Sequence, residues 1–170
     1  CVSTSSMGRL FDAVASLIGV RHEVNYEAQA AMEMEAMAAS LIDQVEPAAY
    51  EFRINRSATI EIGGSDLLRQ ICADHQSGVS PAVIAAQFHQ AVARMVVEVC
   101  ESLREQTKIN QVGLTGGVFQ NVLLLQLTRQ RLIESDFEVL MHFVVPPNDG
   151  GIALGQATVV RNQLTQKGSR

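Results

Sequence analysis

Ile109-Asn110-Gln111-Val112-Gly113-Leu114-Thr115-Gly116-Gly117 reads as a short apolar strand broken by a glycine pair. Phe137-Glu138-Val139-Leu140-Met141-His142-Phe143-Val144-Val145, followed by Pro146-Pro147-Asn148-Asp149-Gly150-Gly151, reads the same way. Between them, Val118 to Glu134 is a strongly apolar helical stretch, and Ile152 to about Leu164 is a second one. The order is strand, Gly-Gly, helix, strand, Gly-Gly, helix. Two strands joined by a helix lie parallel with a right-handed crossover. The predicted class is therefore α/β, with both strand carboxyl ends and both glycine pairs at one sheet edge. That edge is where open α/β sheets bind ligands. Glycine admits a ligand close to the backbone, and a helix N-terminus offers free N–H groups and positive dipole to an anion such as phosphate. Gly116, Gly117 and Gly150 are the candidate contacts. The alternative is two tight turns with no ligand. The spacing is neither GxGxxG nor a P-loop.

Two polar residues flank these corners. Asn121 follows Gly117 by one helical turn, so its amide could reach a phosphate or ribose, or lie on an exposed helix face. Asp149 stands where a helix cap is common, and a metal ligand is the other reading. One carboxylate cannot hold a metal alone. Magnesium could be completed by water and phosphate, whereas zinc or iron needs more protein ligands. His22, His75, His89 and His142 show no HxxxH or HExxH spacing. His89 lies beside the apolar face of a helix and reads as structural, and His142 reads as too far along its strand to join Asp149.

Outward from this unit, residues 1–105 form a helical portion with a short β-hairpin, and residues 106–170 form the βαβα portion, the two making one structural unit. Gly8 to Leu17 carries Leu10, Phe11, Val14 and Leu17 on one helical stripe, with Gly19 as a stop. Asn25 is the expected cap of a helix from Tyr26 to Ile42, whose Met32, Met34 and Met37 form either gap-filling core or a partner groove. Ala48–Ile54 and Thr59–Ile62 read as strands around an Asn55-Arg56-Ser57 turn. Ser65 reads as the cap of a helix through Ala73. Ser80-Pro81 opens a long helix to about Glu105, with Ile84, Phe88, Val92, Met95, Val99 and Leu103 at period 3.6.

The chain has 170 residues, a net charge of -5 and 47% hydrophobic residues. That is enough apolar material for a core and argues against extensive disorder. The acidic balance argues against a nucleic-acid or polybasic membrane surface. Three cysteines without a CxxC pair exclude a zinc finger and suggest a reducing compartment, the cytoplasm. Cys72 and Cys100 read as core. No apolar run approaches a membrane span of ~20 residues, and the first residues lack the pattern of a signal peptide.

Four segments resemble one family. Thr4-Ser5-Ser6-Met7-Gly8-Arg9-Leu10-Phe11-Asp12-Ala13-Val14-Ala15 is similar to the TSS-x-GRLFDAVA segment of the hydrogenase maturation carbamoyltransferases, HypF. Tyr26-Glu27-Ala28-Gln29-Ala30-Ala31 resembles YEGQAA, with Ala28 in place of glycine. Gly113-Leu114-Thr115-Gly116-Gly117-Val118-Phe119-Gln120-Asn121 resembles LSGGVFQN, with Thr115 in place of serine. Pro146 to Ala157 resembles PPNDGGIALGQA.

The resemblance implies the carboxyl-terminal part of that family's last domain, which is similar to threonylcarbamoyl transferases. It further implies the second lobe of an actin/sugar-kinase/Hsp70-like (ribonuclease H-like) ATPase fold. It implies use of carbamoyl phosphate and ATP, a carbamoyl adenylate, and transfer of the carbamoyl group to the C-terminal cysteine of a partner, HypE. By the match, Gly116, Gly117, Gly150 and Asn121 hold the nucleotide, and Gly8 and Asp12 lie near its sugar. Asp149 is implied as a ligand of a divalent metal (zinc, iron or magnesium) completed outside this chain. Catalytic residues stay unassigned, and the fragment alone is expected to be inactive. Exposed apolar surface could drive a homodimer. The rival readings are a tRNA threonylcarbamoyl-adenylate transferase-like protein and a non-catalytic scaffold that docks a partner through its methionines.

Overall fold

The structure, a computed structural model, describes residues 4–47, 50–57 and 59–168, with side chains to residue 165. Cys1 and the expected strand start at Ala48 lie outside the described residues. The chain is a mixed α/β fold. In order it has α1 (Met7–Leu17), α2 (Gln29–Ala39), β1 (Arg53–Arg56), β2 (Ile60–Gly63), α3 (Ser65–Gln76) and α4 (Pro81–Thr107). Then follow β3 (Gln111–Gly113), a 3-10 turn (Gly117–Gln120), α5 (Val122–Glu134), β4 (Glu138–Leu140), a 3-10 turn (Asp149–Gly151) and α6 (Ile152–Gly168).

α4 is the axis of the fold. Its start is the expected one: Pro81 opens it, and the Ser80 hydroxyl accepts from Val83 N. α2, α3 and α5 pack against it, and α1 packs on α2. The apolar period holds at Ile84, Phe88, Val92 and Met95, all buried, but Leu103 is exposed. Ala85, Ala86, Ala91 and Ala93 are buried too, so this helix is enclosed on several faces. By length and composition α4 could cross a membrane, contrary to the expectation from sequence, yet most of that apolar stretch is buried inside the protein. One cluster joins Phe11, Val14, Met34, Leu67, Ile71, Ile84 and Phe88 to Leu123 and Leu124. A second joins Val97 of α4 to Leu114, Leu132 and Phe137, under the β3–β4 pair. Cys100 packs there as a free thiol, and burial raises its pKa.

Several local expectations are corrected. In α1 the buried stripe is Phe11, Val14 and Ala15, continued by Ile18 at the C-cap, and Leu17 is exposed. β1 and β2 pair antiparallel with Asn55 opposite Glu61 and Arg56 opposite Ile60. Asn55 and Arg56 are therefore strand residues, and the turn lies beyond them. Gly64, not Ser65, precedes α3 as its cap residue. Met34 is core, Met37 is half-buried, and Met32 is exposed. The three methionines thus do not share one open surface. Phe143, Val144 and the α6 residues Leu154, Val159, Val160 and Leu164 are exposed.

Asn25 does not cap α2. Its backbone N–H donates to Gln29 Oε1 at 2.8 Å, and the helix starts later, at Gln29. The cap position belongs to Ala28, in the left-handed region at φ 62° and ψ 9°. An L-residue there pays ~1–2 kcal/mol of steric strain. Ala28→Gly relieves it, offset in part by the greater freedom of glycine in the unfolded chain. We expect a net gain of about 0.5–1 kcal/mol, a rise of about 2 °C in the thermal midpoint by calorimetry. A lowered midpoint would contradict the left-handed assignment.

Candidate functional site

β3 and β4 pair in parallel, with Gln111 opposite Glu138, Val112 opposite Val139 and Gly113 opposite Leu140. Leu114 N continues the ladder to Leu140 O at 2.9 Å. The strands are shorter than expected because the pairing stops there. Beyond it the two glycine corners meet directly: Gly116 N donates to Pro147 O at 2.7 Å, and the Thr115 hydroxyl donates to the same carbonyl at 3.4 Å.

The glycines are present for different reasons. Gly116 has φ +103°, which strains any residue with a Cβ, and this conformation aims its N–H at Pro147. A Cβ on Gly151 would come within 3.0 Å of Pro146 O, so the second corner closes on itself. Gly117 is unlike both. Its φ is not positive, and a Cβ there meets nothing within 4 Å. The packing of this chain leaves open space at Gly117.

Asn121 is not a residue of the helix one turn after Gly117. Gly117–Gln120 is a separate 3-10 turn, and Asn121 is the N-cap of α5. Its Oδ1 accepts from Leu124 N at 2.7 Å, and its Nδ2 bonds His89 Nε2 at 2.9 Å. The next donor of α5, Leu123 N, is taken by Glu35 Oε1 of α2 at 3.0 Å. The α5 N-terminus is therefore occupied in part by a carboxylate from 88 residues earlier in the chain.

Asp149 does not act as the cap. Asn148 holds that position, and its Oδ1 accepts from Gly150 N at 3.1 Å. Asp149 is exposed at the first position of its turn. Among the described residues no three His, Cys, Asp or Glu side chains converge as a metal site. Gly8 and Asp12 lie on α1, which packs against the 117–120 turn. Asp12 pairs with Arg9 at 3.1 Å. So the structure brings Gly116 and Gly117 up to the loop carrying Asp149 and Gly150, and places the helix of Gly8 and Asp12 alongside.

Three residues were missed or underread. His142 Nε2 lies 3.0 Å from Thr115 Oγ1. The parallel register, with Gln111 opposite Glu138, already sets Thr115 opposite His142, so register counting could have found it. Glu35 left no local signal, since its partner is on α5. His89 is structural as expected and more deeply engaged than the sequence showed. Its ring is 0% exposed, and Nδ1 lies 2.7 Å from Ala85 O. Phe11 and Phe88 meet it edge-on at 5.2 and 6.2 Å between centroids. Burial drives its pKa down from 6.5 to about 4, opposed by the Ala85 bond, so the ring is neutral.

A parallel β-pair with converging glycine corners, set on a helical base, is an α/β frame that gathers its loops at one sheet edge, where such folds take ligands. The family model described as "Carbamoyltransferase, Kae1-like Domain, second subdomain" matches residues 1–156. The chain belongs to the HypF family of carbamoyltransferases. It is 35% identical to Carbamoyltransferase HypF of Synechocystis sp. over 154 residues, 90% of this chain and 19% of that protein. With a HypF homolog of Cupriavidus necator it shares 32% identity over 97% of this chain and 42% of that protein. A crystal structure of full-length HypF in the phosphate- and nucleotide-bound form superposes with a TM-score of 0.87 at 43% identity. That match covers 94% of this chain and 21% of the other. HypF of T. kodakarensis follows with TM-score 0.81 and 28% identity, over 95% and 20% of the two chains. The chain thus spans between a fifth and two fifths of the length of these relatives.

Proposed function

We propose that this chain supplies one wall of a nucleotide cleft in a HypF-type enzyme: carbamoyl phosphate loses phosphate to water and leaves carbamate, whose oxygen attacks the α-phosphorus of ATP, so that pyrophosphate leaves and carbamoyl adenylate forms. The observation that carries the reading is the meeting of the two corners at Gly116 N and Pro147 O, with open space left at Gly117. The solved relative in its phosphate- and nucleotide-bound form supports it. The adenylate then passes its carbamoyl group to the C-terminal cysteine of a HypE-like partner, in the cytoplasm. In that step the thiolate attacks the carbamoyl carbon, a C–S bond forms, the C–O bond to phosphate breaks, and AMP leaves with the electron pair. The thiol proton goes to solvent or a base. The departing phosphate gains charge, which hydrogen-bond donors at the cleft can stabilise; the N–H groups of Gly116 and Gly150 are held by Pro147 O and Asn148 Oδ1, so those two glycines contribute close approach of the backbone. Asn121, Gly116, Gly117 and Gly150 are the proposed nucleotide contacts, with Gly8 and Asp12 toward the sugar. Asp149 is the proposed contribution to a divalent metal completed by residues outside this chain.

The test is Gly117→Val in the intact protein. A Cβ there meets no atom of this chain within 4 Å, and a thermal midpoint recorded alongside shows that the variant keeps its fold. Nucleotide affinity and carbamoyl-phosphate-dependent release of AMP from ATP should fall about tenfold or more, because the ligand loses its close approach. Unchanged ATP affinity in the variant would remove Gly117 from the cleft. Absence of carbamoyl-phosphate-dependent AMP release by the wild type with the HypE-like partner present would remove the proposed reaction.

A further inference from the structure

We infer that His89 is a positioning residue for nucleotide recognition: it fixes the Asn121 amide so that the amide meets a ligand through its remaining Nδ2 hydrogen. This deepens the proposed function and rests on that reading.

The argument is one of proton bookkeeping. The Ala85 carbonyl can only accept, so Nδ1 of His89, 2.7 Å away, carries the ring proton. Burial between Phe11 and Phe88 keeps the ring neutral, so Nε2 is left with a lone pair. The Asn121 atom 2.9 Å from Nε2 must then be a donor, which makes it Nδ2. Oδ1 is thereby turned to Leu124 N, 2.7 Å away. A flipped amide would set two lone pairs against each other at His89 and two hydrogens against each other at Leu124. Among the described residues, His89 takes one of the two Nδ2 hydrogens and none takes the other. The ligand atom it suits is an acceptor, such as a phosphate, ribose or carbonyl oxygen.

A merely space-filling residue does not account for this. Leucine would fill the gap between two phenylalanines without desolvating a ring nitrogen. The imidazole supplies what leucine cannot, an acceptor of fixed polarity aimed at a half-buried amide beside the glycine corner.

The experiment uses the intact protein with His89→Leu, His89→Gln, Asn121→Ala and the double variant His89→Leu/Asn121→Ala, and titrates AMP and ATP. Thermal midpoints are recorded alongside, and nitrogen NMR of labelled histidine reads the tautomer. Wild type is expected to show the Nδ1–H tautomer with Nε2 accepting from an Asn side chain. Folded His89→Leu should bind nucleotide about tenfold more weakly, as Asn121→Ala does. The double variant should be no weaker than Asn121→Ala alone. His89→Gln, which keeps an acceptor, should recover much of the affinity. If wild type binds nucleotide and folded His89→Leu binds equally well, His89 is only core and the inference is overturned. An Nε2–H tautomer overturns it independently of any nucleotide. A wild type that binds no nucleotide overturns the functional reading and this inference together, and that result is distinct from the other two.

Discussion

Truncating Phe11 to alanine is expected to destabilise the protein by about 3–5 kcal/mol. Phe11 is 1% exposed on α1 and meets the ring of Phe88 edge-on at 4.9 Å. It also covers the ring of His89. Removing it forfeits the transfer energy of the ring and leaves a cavity that α4, enclosed on several faces, can collapse only in part. That loss is a large share of the ~5–15 kcal/mol by which domains are stable. A second readout separates this cavity from an ordinary one. Water admitted beside His89 should raise its pKa from about 4 back toward 6.5. Denaturant unfolding measures the first effect, and histidine titration by NMR the second. A loss under 1 kcal/mol with an unmoved titration would mean that Phe11 does not cover His89.

Lowering the pH from 6.5 to 4 is expected to remove about 3 kcal/mol of stability through His89 alone. The folded ring titrates at about 4 and the unfolded one at 6.5. Between these values the unfolded chain binds more protons, so stability falls as pH falls. Above 6.5 the contribution is complete, and below 4 no further loss comes from this group. Protonated Nε2 would also face the Asn121 amide hydrogen and oppose it. Two carboxylates act in the same sense but lower down. Glu33 beside Arg21, and Asp66 beside Arg69 and Arg53, are held below the usual carboxylate range and lose their stabilisation only as pH falls through those lowered values. Urea unfolding at stepped pH resolves the two regimes. A flat profile from 6.5 to 4 in wild type, or the same slope in His89→Leu, would refute the assignment.

Much of the helical base was legible in the sequence. Ser80-Pro81 marks the start of α4, and the 3.6 period marks its core face as far as Met95, because both signals are local. The parallel β-pair and the common edge of the two glycine corners were legible for a different reason. Chain chirality permits few ways to connect two strands through a helix. What failed first were positions where a near neighbour took the role that the residue type suggested. Asn25 looks like a cap but bonds Gln29, while Ala28 accepts strain at the helix start. Asp149 looks like a cap beside Asn148, which takes the role.

The sequence by itself determined the family, the α/β class and the glycine corners, since these rest on motifs, chirality and hydrophobic period. Only the tertiary structure decided what Asn121 is. Its amide is shared between Leu124, three residues on, and His89, 32 residues back, and Glu35 lies against Leu123 from 88 residues away. Hydrogen bonds over such separations depend on how α2, α4 and α5 pack. The direction in which a side chain donates is set by partners that no local window contains.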